Sequence, residues 1–569
     1  MKVLLIQPPL PCNERHKRIL PLGIGYLASY IRQELPDIDV RILDAHVMNM
    51  NYSQTICEII KEKWDVVGFS FWTAQAPFVY NIASAVKVHI PEALIVFGGV
   101  HTSLCPEEAT EYSDLCVLHE GEITFTEVLK RLQDSRKFDD ISGVAFREDG
   151  KFIQTPARPL IDNLDTIPFP AWDLLSMDCY STPLHVVGGR RLPIVGSRGC
   201  PYNCTYCVSP LMWMGKVRWR NPENVIEEMK KSITDLNICQ FHFWDDNFLL
   251  NRKYVIGLCE GILREGLKVK WTGLTRASHV QKNKDLIELL AKSGCIGLEV
   301  GIESANPETF IQIHKEESLA VIEEIAALQK KYGMFPLFTY MAFNPGETIN
   351  GYYMQSKFID KLLNDLPWLE HFHPLPFPIY IGQFSTAYPK TQLMEDARSL
   401  GMVLVDTWDD CFHHNINFVP NSLLDDVPMR TQERLDPNDL LIAVYAAWAG
   451  IWDFASFSLP RLERFTEQYQ YIRFLQSFYI RCDGNRTLRM IATEVAGFLN
   501  ISSKKSFKFA AFSCLVLAQM GLLRSALYQQ DLEMGKKKVT IPWEKGVNKT
   551  IKRILATAFL KIYCFLIKR

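Results

Sequence analysis

The chain runs to 569 residues, 48% of them hydrophobic and 22% charged, with a formal net charge of −2. That length suggests about three to four domains with several apolar cores, and the near-neutral balance gives no whole-chain case for nucleic-acid binding. Fifteen cysteines without paired spacing do not make a disulfide framework. The first residues, Met1-Lys2-Val3-Leu4-Leu5-Ile6, run straight into a strand pattern and do not read as a signal peptide. No apolar run reaches the roughly 18–20 residues of a spanning helix, so a cytoplasmic protein is expected.

Strand and helix patterns alternate through residues 1–135. Strands are predicted at 3–7, 40–43, 66–71, 94–97 and 115–118, and helices at 22–34, 52–63, 79–89, 106–112 and 123–132. Such alternation implies a doubly wound parallel sheet of the flavodoxin-like (Rossmann-like) kind, whose ligands sit beyond the carboxyl ends of the strands. Those ends carry Pro8-Pro9, Ser70-Phe71-Trp72, Gly98-Gly99-Val100-His101 and Glu120-Gly121, with Gly23 at the start of the first helix. Glycine pairs at strand ends let backbone approach a bulky ligand. The alternative is a sheet of this fold that has lost its ligand.

Residues 136–190 read as a connector, with a hairpin turn at Glu148-Asp149-Gly150. A second βα series then fills residues 191–385. Strands are predicted at 193–197, 240–244, 269–273, 297–301, 337–343 and 372–379, and helices at 222–234, 252–265, 284–292, 307–332 and 349–363. Six such units make a partial (β/α)6 TIM-like barrel with its active groups at the carboxyl ends of the strands. The first strand leads into Cys200-Pro-Tyr-Asn-Cys204-Thr-Tyr206-Cys207, a C-x3-C-x2-C spacing. Three thiolates on one tight loop can hold three irons of a 4Fe–4S cluster and leave the fourth iron open. The competing readings are a structural zinc site, which wants a fourth Cys or His at knuckle spacing, and three buried thiols. The next cysteine is Cys239, beyond a whole helix–strand stretch. Later strands end in Asp245-Asp246-Asn247, Thr275-Arg276, Glu299 to Ser304 and Asn344 to Glu347. Charges at successive strand ends are hard to explain as packing, although Asp246 or Asn247 would also serve as a helix cap.

Residues 386–569 are mainly helical in pattern. Residues 487–499 and 505–520 followed by Gly521 to Arg524 suggest either a winged-helix-like module or a small cap over the barrel mouth. In the tail, Val547, Ile551, Ile554, Leu555, Ala558, Phe559, Ile562, Tyr563 and Leu566 follow helical spacing among many lysines. Such a basic amphipathic helix either lies on an anionic membrane surface or docks on its own protein.

The cysteine loop closely resembles that of radical S-adenosylmethionine (SAM) enzymes. The first 135 residues resemble the cobalamin-binding domain that precedes the barrel in many of them, through Pro21 to Ala28, Gly98-Gly99-Val100-His101 and Gly121-Glu122-Ile123-Thr124-Phe125. The resemblance implies a 4Fe–4S cluster on Cys200, Cys204 and Cys207, with Tyr206, Asp245, Asp246, Arg276 and Glu303 around SAM. It places cobalamin against Pro8, Pro9, Gly23, Ser70, Phe71, Trp72, Gly98, Gly99, Val100, His101, Glu120 and Gly121. Methionine-synthase-like domains carry Asp-x-His-x-x-Gly after strand one, whose His ligates cobalt. Asp44-Ala45-His46 looks like part of that motif, but it follows strand two and has Asn at position 49, and His16 lacks the motif. No histidine ligand to cobalt is therefore expected. The implied chemistry is reductive cleavage of SAM and methylation of an unactivated carbon. The alternative is an oxidative cyclisation or rearrangement, as in the anaerobic magnesium-protoporphyrin ester cyclase group. The implied partners are a small-molecule or lipid substrate and an electron donor such as flavodoxin or ferredoxin. The tail adds a peripheral contact with the inner membrane surface as an expectation.

Overall fold

The structure is a computed structural model. It describes residues 1–9, 20–180, 190–315, 317–342, 344–348, 379–384, 386–404 and 487–503, with a few short pieces elsewhere up to 525. His16 in the loop after the first strand, the helix expected at 349–363 apart from a few positions, and the tail from 547 onward lie outside the described residues.

The first sheet is built from β1 (Lys2–Gln7), β2 (Asp39–Asp44), β3 (Val66–Ser70), β4 (Leu94–Gly98) and β5 (Leu115–Val117), extended by the hairpin β6 (Val144–Glu148) and β7 (Lys151–Gln154). Its order is β2-β1-β3-β4-β5-β6-β7. The first five strands are parallel, and β6 and β7 join antiparallel. The 2-1-3-4-5 order is that of flavodoxin, with its ligand crevice where the order reverses between β1 and β3. The strands are short apolar runs because both faces are covered. Helices α1 (Leu22–Glu34) and α6 (Gly121–Asp134) pack together, as do α2 (Tyr52–Ile59) and α3 (Ala76–His89). Residues 100–104 form a helix, α4 (Val100–Leu104), where the sequence pattern predicts none; α5 (Pro106–Ala109) follows it. Gly99 makes that entry, at φ +91°, where a Cβ would stand 2.7 Å from the Phe71 carbonyl oxygen. Only glycine takes this turn without strain.

The second sheet has six parallel strands in the order β15-β14-β13-β12-β11-β8: β8 (Leu192–Ile194), β11 (Gln240–Phe243), β12 (Lys270–Thr275), β13 (Cys295–Glu303), β14 (Phe335–Ala342) and β15 (Ile379–Phe384). Between β8 and β11, a two-residue ribbon pairs β9 (Ser197–Arg198) with β10 (Arg218–Trp219). The sixth strand begins at Ile379, where the sequence reading has it end; the prolines at 374, 376 and 378 lack ladder donors. The helices are α7 (Ser209–Met212), α8 (Pro222–Leu236), α9 (Arg252–Arg264), α10 (Ala277–Lys282), α11 (Ile287–Lys292), α12 (Pro307–Gln312) and α13 (Leu319–Lys331). The single helix expected at 307–332 is therefore two, broken around His314 at φ +53°. One large core joins the outward faces of these strands to the helices, with Trp271, Phe241, Phe243, Phe338 and Tyr340 fully buried. Alternation turns His242, Trp244 and Asp246 to the other face of β11 and its continuation.

Beyond the barrel, helix Gln392–Ser399 and helix Leu488–Leu499 are described, and strand Leu523–Ser525 pairs antiparallel with Met429–Thr431. Among the described residues no helix is long and apolar enough to cross a membrane.

Candidate cofactor sites

The loop that leaves β8 is shaped by glycine and by two aspartates. Gly199 sits at φ +108°, and a Cβ there would meet the Lys216 carbonyl oxygen at 1.9 Å. Its amide donates to Asp246 Oδ2 at 3.1 Å. Asp245 is fully buried and takes the Gly196 amide at 3.0 Å and the Ser197 hydroxyl at 2.5 Å. Burial pushes its carboxyl up to about 6. Both oxygens of Asp245 serve the base of the loop, so it holds the loop and does not reach into the mouth. Asp246 faces open space at the mouth, yet protein crowds its carboxyl, and desolvation pushes it up.

The loop itself is anchored on several sides. The Thr205 amide donates to the Ile313 carbonyl at 3.2 Å, and the Leu393 amide donates to the Thr205 carbonyl at 2.9 Å. Cys200, Cys204 and Cys207 are free and partly exposed. Burial pushes the Cys200 thiol up and the Cys207 thiol up to about 12, so a bound metal would have to displace those protons.

Around the loop, the other strand ends supply the expected polar groups. Arg276, after β12, places Nη1 at 3.3 Å from Cys204 Sγ and stacks on Tyr202, 4.1 Å from the ring centroid. Its Nε pairs with Glu317 Oε1 at 3.4 Å. Thr205 Oγ1 and Asn247 Nδ2 are buried without a hydrogen-bond partner. Such orphaned donors and acceptors at the base of an open mouth fit a polar ligand. Tyr206 donates to Glu303 Oε1 at 3.1 Å, and Lys315 Nζ donates to the same oxygen at 2.6 Å. Its ring packs against the cluster of Leu393, Met394 and Ala397. Gly301 makes room for this, because a Cβ there would stand 2.2 Å from Glu303 Oε1 and 2.6 Å from Lys315 Nζ. Glu303 itself is at φ +66°, a left-handed conformation unusual for glutamate. Sequence reasoning missed Lys315, which stands in a charged run, His314-Lys315-Glu316-Glu317, inside the helix expected at 307–332. Glu347 is fully buried, accepts from Ser304 at 2.5 Å and Thr309 at 3.1 Å, and is pushed up to about 7 by burial.

At the first sheet, burial divides the residues expected to meet cobalamin. Gly23 and Trp72 are exposed, and Ser70, Gly98, Gly99, Val100 and Gly121 are half-buried. Their glycine backbone and the Trp72 ring give an open edge that fits a large flat group. Pro8, Pro9, Phe71, His101 and Glu120 are buried. His101 engages Tyr80 Oη at 2.9 Å and Thr73 Oγ1 at 3.2 Å through its two ring nitrogens. Those contacts tie His101 to α3 and to the segment after β3. Its ring, Cys105 and Glu108 do bring ligand atoms within 4.8 Å of one another, but the hydroxyls already occupy the imidazole. Glu120 turns away from the edge, toward Arg198 and Arg218. Asp44 is buried as well and accepts from the Tyr180 hydroxyl and from the Val47 amide at 2.9 Å. Asp44 and His46 stand at the end of β2 and in the turn after it, not after β1.

The comparisons with known proteins bear on both sheets. A family model described as the B12 binding domain matches residues 12–129, and one described as the Radical SAM superfamily matches residues 194–352. The chain belongs to the radical SAM enzymes that carry a B12-binding domain, and its cofactors are a 4Fe–4S cluster, SAM and cobalamin. Within that class it is 33% identical over 420 residues to a Pyrococcus horikoshii protein named uncharacterized methyltransferase PH0819, covering 72% of this chain and 85% of the relative. It is 26% identical to the anaerobic magnesium-protoporphyrin IX monomethyl ester cyclase of Synechocystis, over 60% of this chain and 68% of that one. Its fold matches the radical SAM methyltransferase TsrM of Kitasatospora setae, solved with cobalamin and a 4Fe–4S cluster, with TM-score 0.59, 18% identity and coverage of 84% and 95%.

Proposed function

We propose that the chain moves a methyl group from SAM, by way of cobalamin, onto an unactivated carbon of a small-molecule substrate. The observation that carries this reading is the pairing, in one chain, of an open glycine-rich sheet edge with a three-thiol loop on a second sheet. When bound, the cluster supplies an electron to SAM and cobalamin supplies a carrier for the methyl group.

The chain's own residues bind and orient. Cys200, Cys204 and Cys207 hold three irons. Asp246 meets the ammonium of SAM, and the Arg276 guanidinium, fixed on Tyr202, meets its carboxylate or a ribose hydroxyl. Glu303, steadied by Lys315 and Tyr206, accepts from the ribose. Asp245 keeps the loop in place from behind. Gly98, Gly99, Val100 and Trp72 receive the corrin. No amino-acid acid/base pair is needed for the central step. A reductant of the flavodoxin or ferredoxin kind supplies the electrons. The amphipathic tail, if it meets an anionic membrane, makes the substrate a lipid or membrane-associated molecule. Co-sedimentation with anionic vesicles at low and high salt tests that part, because surface attraction weakens with screening.

The test of the main reading is anaerobic reconstitution, reduction, and incubation with methyl-labelled SAM. Methyl transfer predicts label on cobalamin and then on a product carbon, together with 5′-deoxyadenosine. A chain that forms 5′-deoxyadenosine but never moves the label is instead a cyclase or rearrangement enzyme, the activity named for its Synechocystis relative.

A further inference from the structure

A buried charge cluster joins the two sheets at the root of the thiol loop. Arg198 lies two residues before Cys200. Its Nη1 donates to Glu120 Oε1 at 2.7 Å and its Nη2 to Glu122 Oε1 at 2.6 Å. Those glutamates flank Gly121, where the chain passes from β5 into α6. Arg218 pairs across the β9–β10 ribbon from Arg198. It donates to Glu120 Oε2 at 2.7 Å and to the Ile161 carbonyl at 2.7 Å, while the Ile161 amide donates to Glu120 Oε2 at 2.8 Å. The side chains of Arg198, Glu120, Glu122 and Arg218 are only 11%, 5%, 8% and 7% exposed. Trp213 lies 5.9 Å from the Arg198 guanidinium and 5.5 Å from that of Arg218, and Tyr26 lies 5.6 Å from Arg198.

Two cations and two anions cancel, but burying them is costly, and apolar side chains of similar volume often seal an interface at least as well. What apolar contacts do not supply is direction. A guanidinium is a rigid planar fork that donates to a carboxylate from each prong in one geometry. Here one prong takes each glutamate, so Arg198 is fixed in the plane of both. Its position passes to Cys200 through a single residue, Gly199, whose amide Asp246 pins at 3.1 Å.

We propose that Arg198 is a positioning residue. Anchored by Glu120 and Glu122, it sets the distance between the cluster loop and the cobalamin edge of the first sheet, so that SAM held at the cluster is in reach of cobalt. This rests on the cofactor placement argued above, and the experiment separates the two. Wild type, Arg198→Lys and Glu122→Gln are reconstituted with iron, sulfide and cobalamin, and each is first checked for both cofactors. Failure of the wild type to hold both would sink the cofactor placement itself.

Two readouts then address spacing. In samples holding cob(II)alamin and the reduced cluster, the cluster speeds the electron-spin relaxation of cobalt in a strongly distance-dependent way. Both variants should show that enhancement weakened. With labelled SAM and no other substrate, the ratio of methyl moved to cobalamin over 5′-deoxyadenosine formed should fall by about 10²-fold, the usual cost of displacing reacting groups by about 1 Å. Lysine, which keeps the charge but not the fork, should fall as glutamine does. Variants with both cofactors and wild-type relaxation would overturn the proposal. So would loss of the cluster in both variants, which would make the network a folding element of the loop instead of a spacer.

Discussion

At the seam between the two sheets, Arg198 and Arg218 share Glu120, and Arg198 also holds Glu122. At the barrel mouth, Asp246 faces open space while Thr205 Oγ1 and Asn247 Nδ2 are buried without hydrogen-bond partners. At Glu120, burial pushes the carboxyl up, but Arg198 and Arg218 outweigh it and the net shift is down. At Asp246, burial wins and the net shift is up. Buried charge with matched partners marks architecture, whereas buried polar atoms left short of partners mark the place a ligand completes. The division is not complete. Arg218 Nε and Nη2 also lack partners, although the Trp213 ring lies beside that guanidinium.

The comparison can be broken first at Gly199. An alanine there would combine a forbidden φ with a Cβ 1.9 Å from a carbonyl oxygen. The expected loss exceeds about 4 kcal/mol, seen as loss of iron loading and a lower unfolding temperature. Next comes the buried Arg220–Glu228 pair, whose side chains are 5% and 1% exposed. Arg220→Met leaves the glutamate alone, and a cost of about 3–5 kcal/mol is expected. An Arg220→Met, Glu228→Leu double variant should recover much of it, as measured by denaturant unfolding.

Acidity sharpens the contrast further. Glu347 has a folded value of about 7, above the ~4.3 of a free glutamate. Between those pH values the folded chain keeps a proton that the unfolded chain has lost. Stability from this group is therefore full at acid pH and declines as pH rises through 7, by on the order of 3 kcal/mol in all. Glu347→Gln should flatten that decline between pH 5 and 8. Glu120 has the opposite sign: its contribution is present at neutral pH and is lost as pH falls through its lowered value. The smallest effect is expected at the surface, where the Arg252–Asp285 side chains are 47% and 60% exposed. Asp285→Asn should leave the denaturant midpoint close to that of the wild type.

Much of this was legible in the sequence. The alternating runs of the first 135 residues gave the parallel sheet, because each fully covered strand is a short apolar run. The thiol triad and the polar strand ends were legible because charge at the end of a buried strand needs a reason. What was hidden depends on partners distant in the chain. Glu120 looked like a ligand contact, and only the fold brings Arg198 and Arg218 to it. Lys315 was hidden in a charged run, since nothing local says that Gly301 leaves space for it. The helix after Gly99 was hidden because local periodicity is too short to read over five residues. The displaced sixth strand was misplaced by its proline-rich approach.

The central claim is that two cofactors occupy two different sheets of one chain, with three named thiols holding the cluster. The most direct test is to replace Cys200, Cys204 and Cys207 together by alanine and, after anaerobic reconstitution, to count iron and cobalamin in the same sample. The account predicts that iron and 5′-deoxyadenosine formation vanish while cobalamin stays bound near the wild-type amount. A triple variant that still holds a full cluster, or one that sheds cobalamin along with its iron, would contradict it.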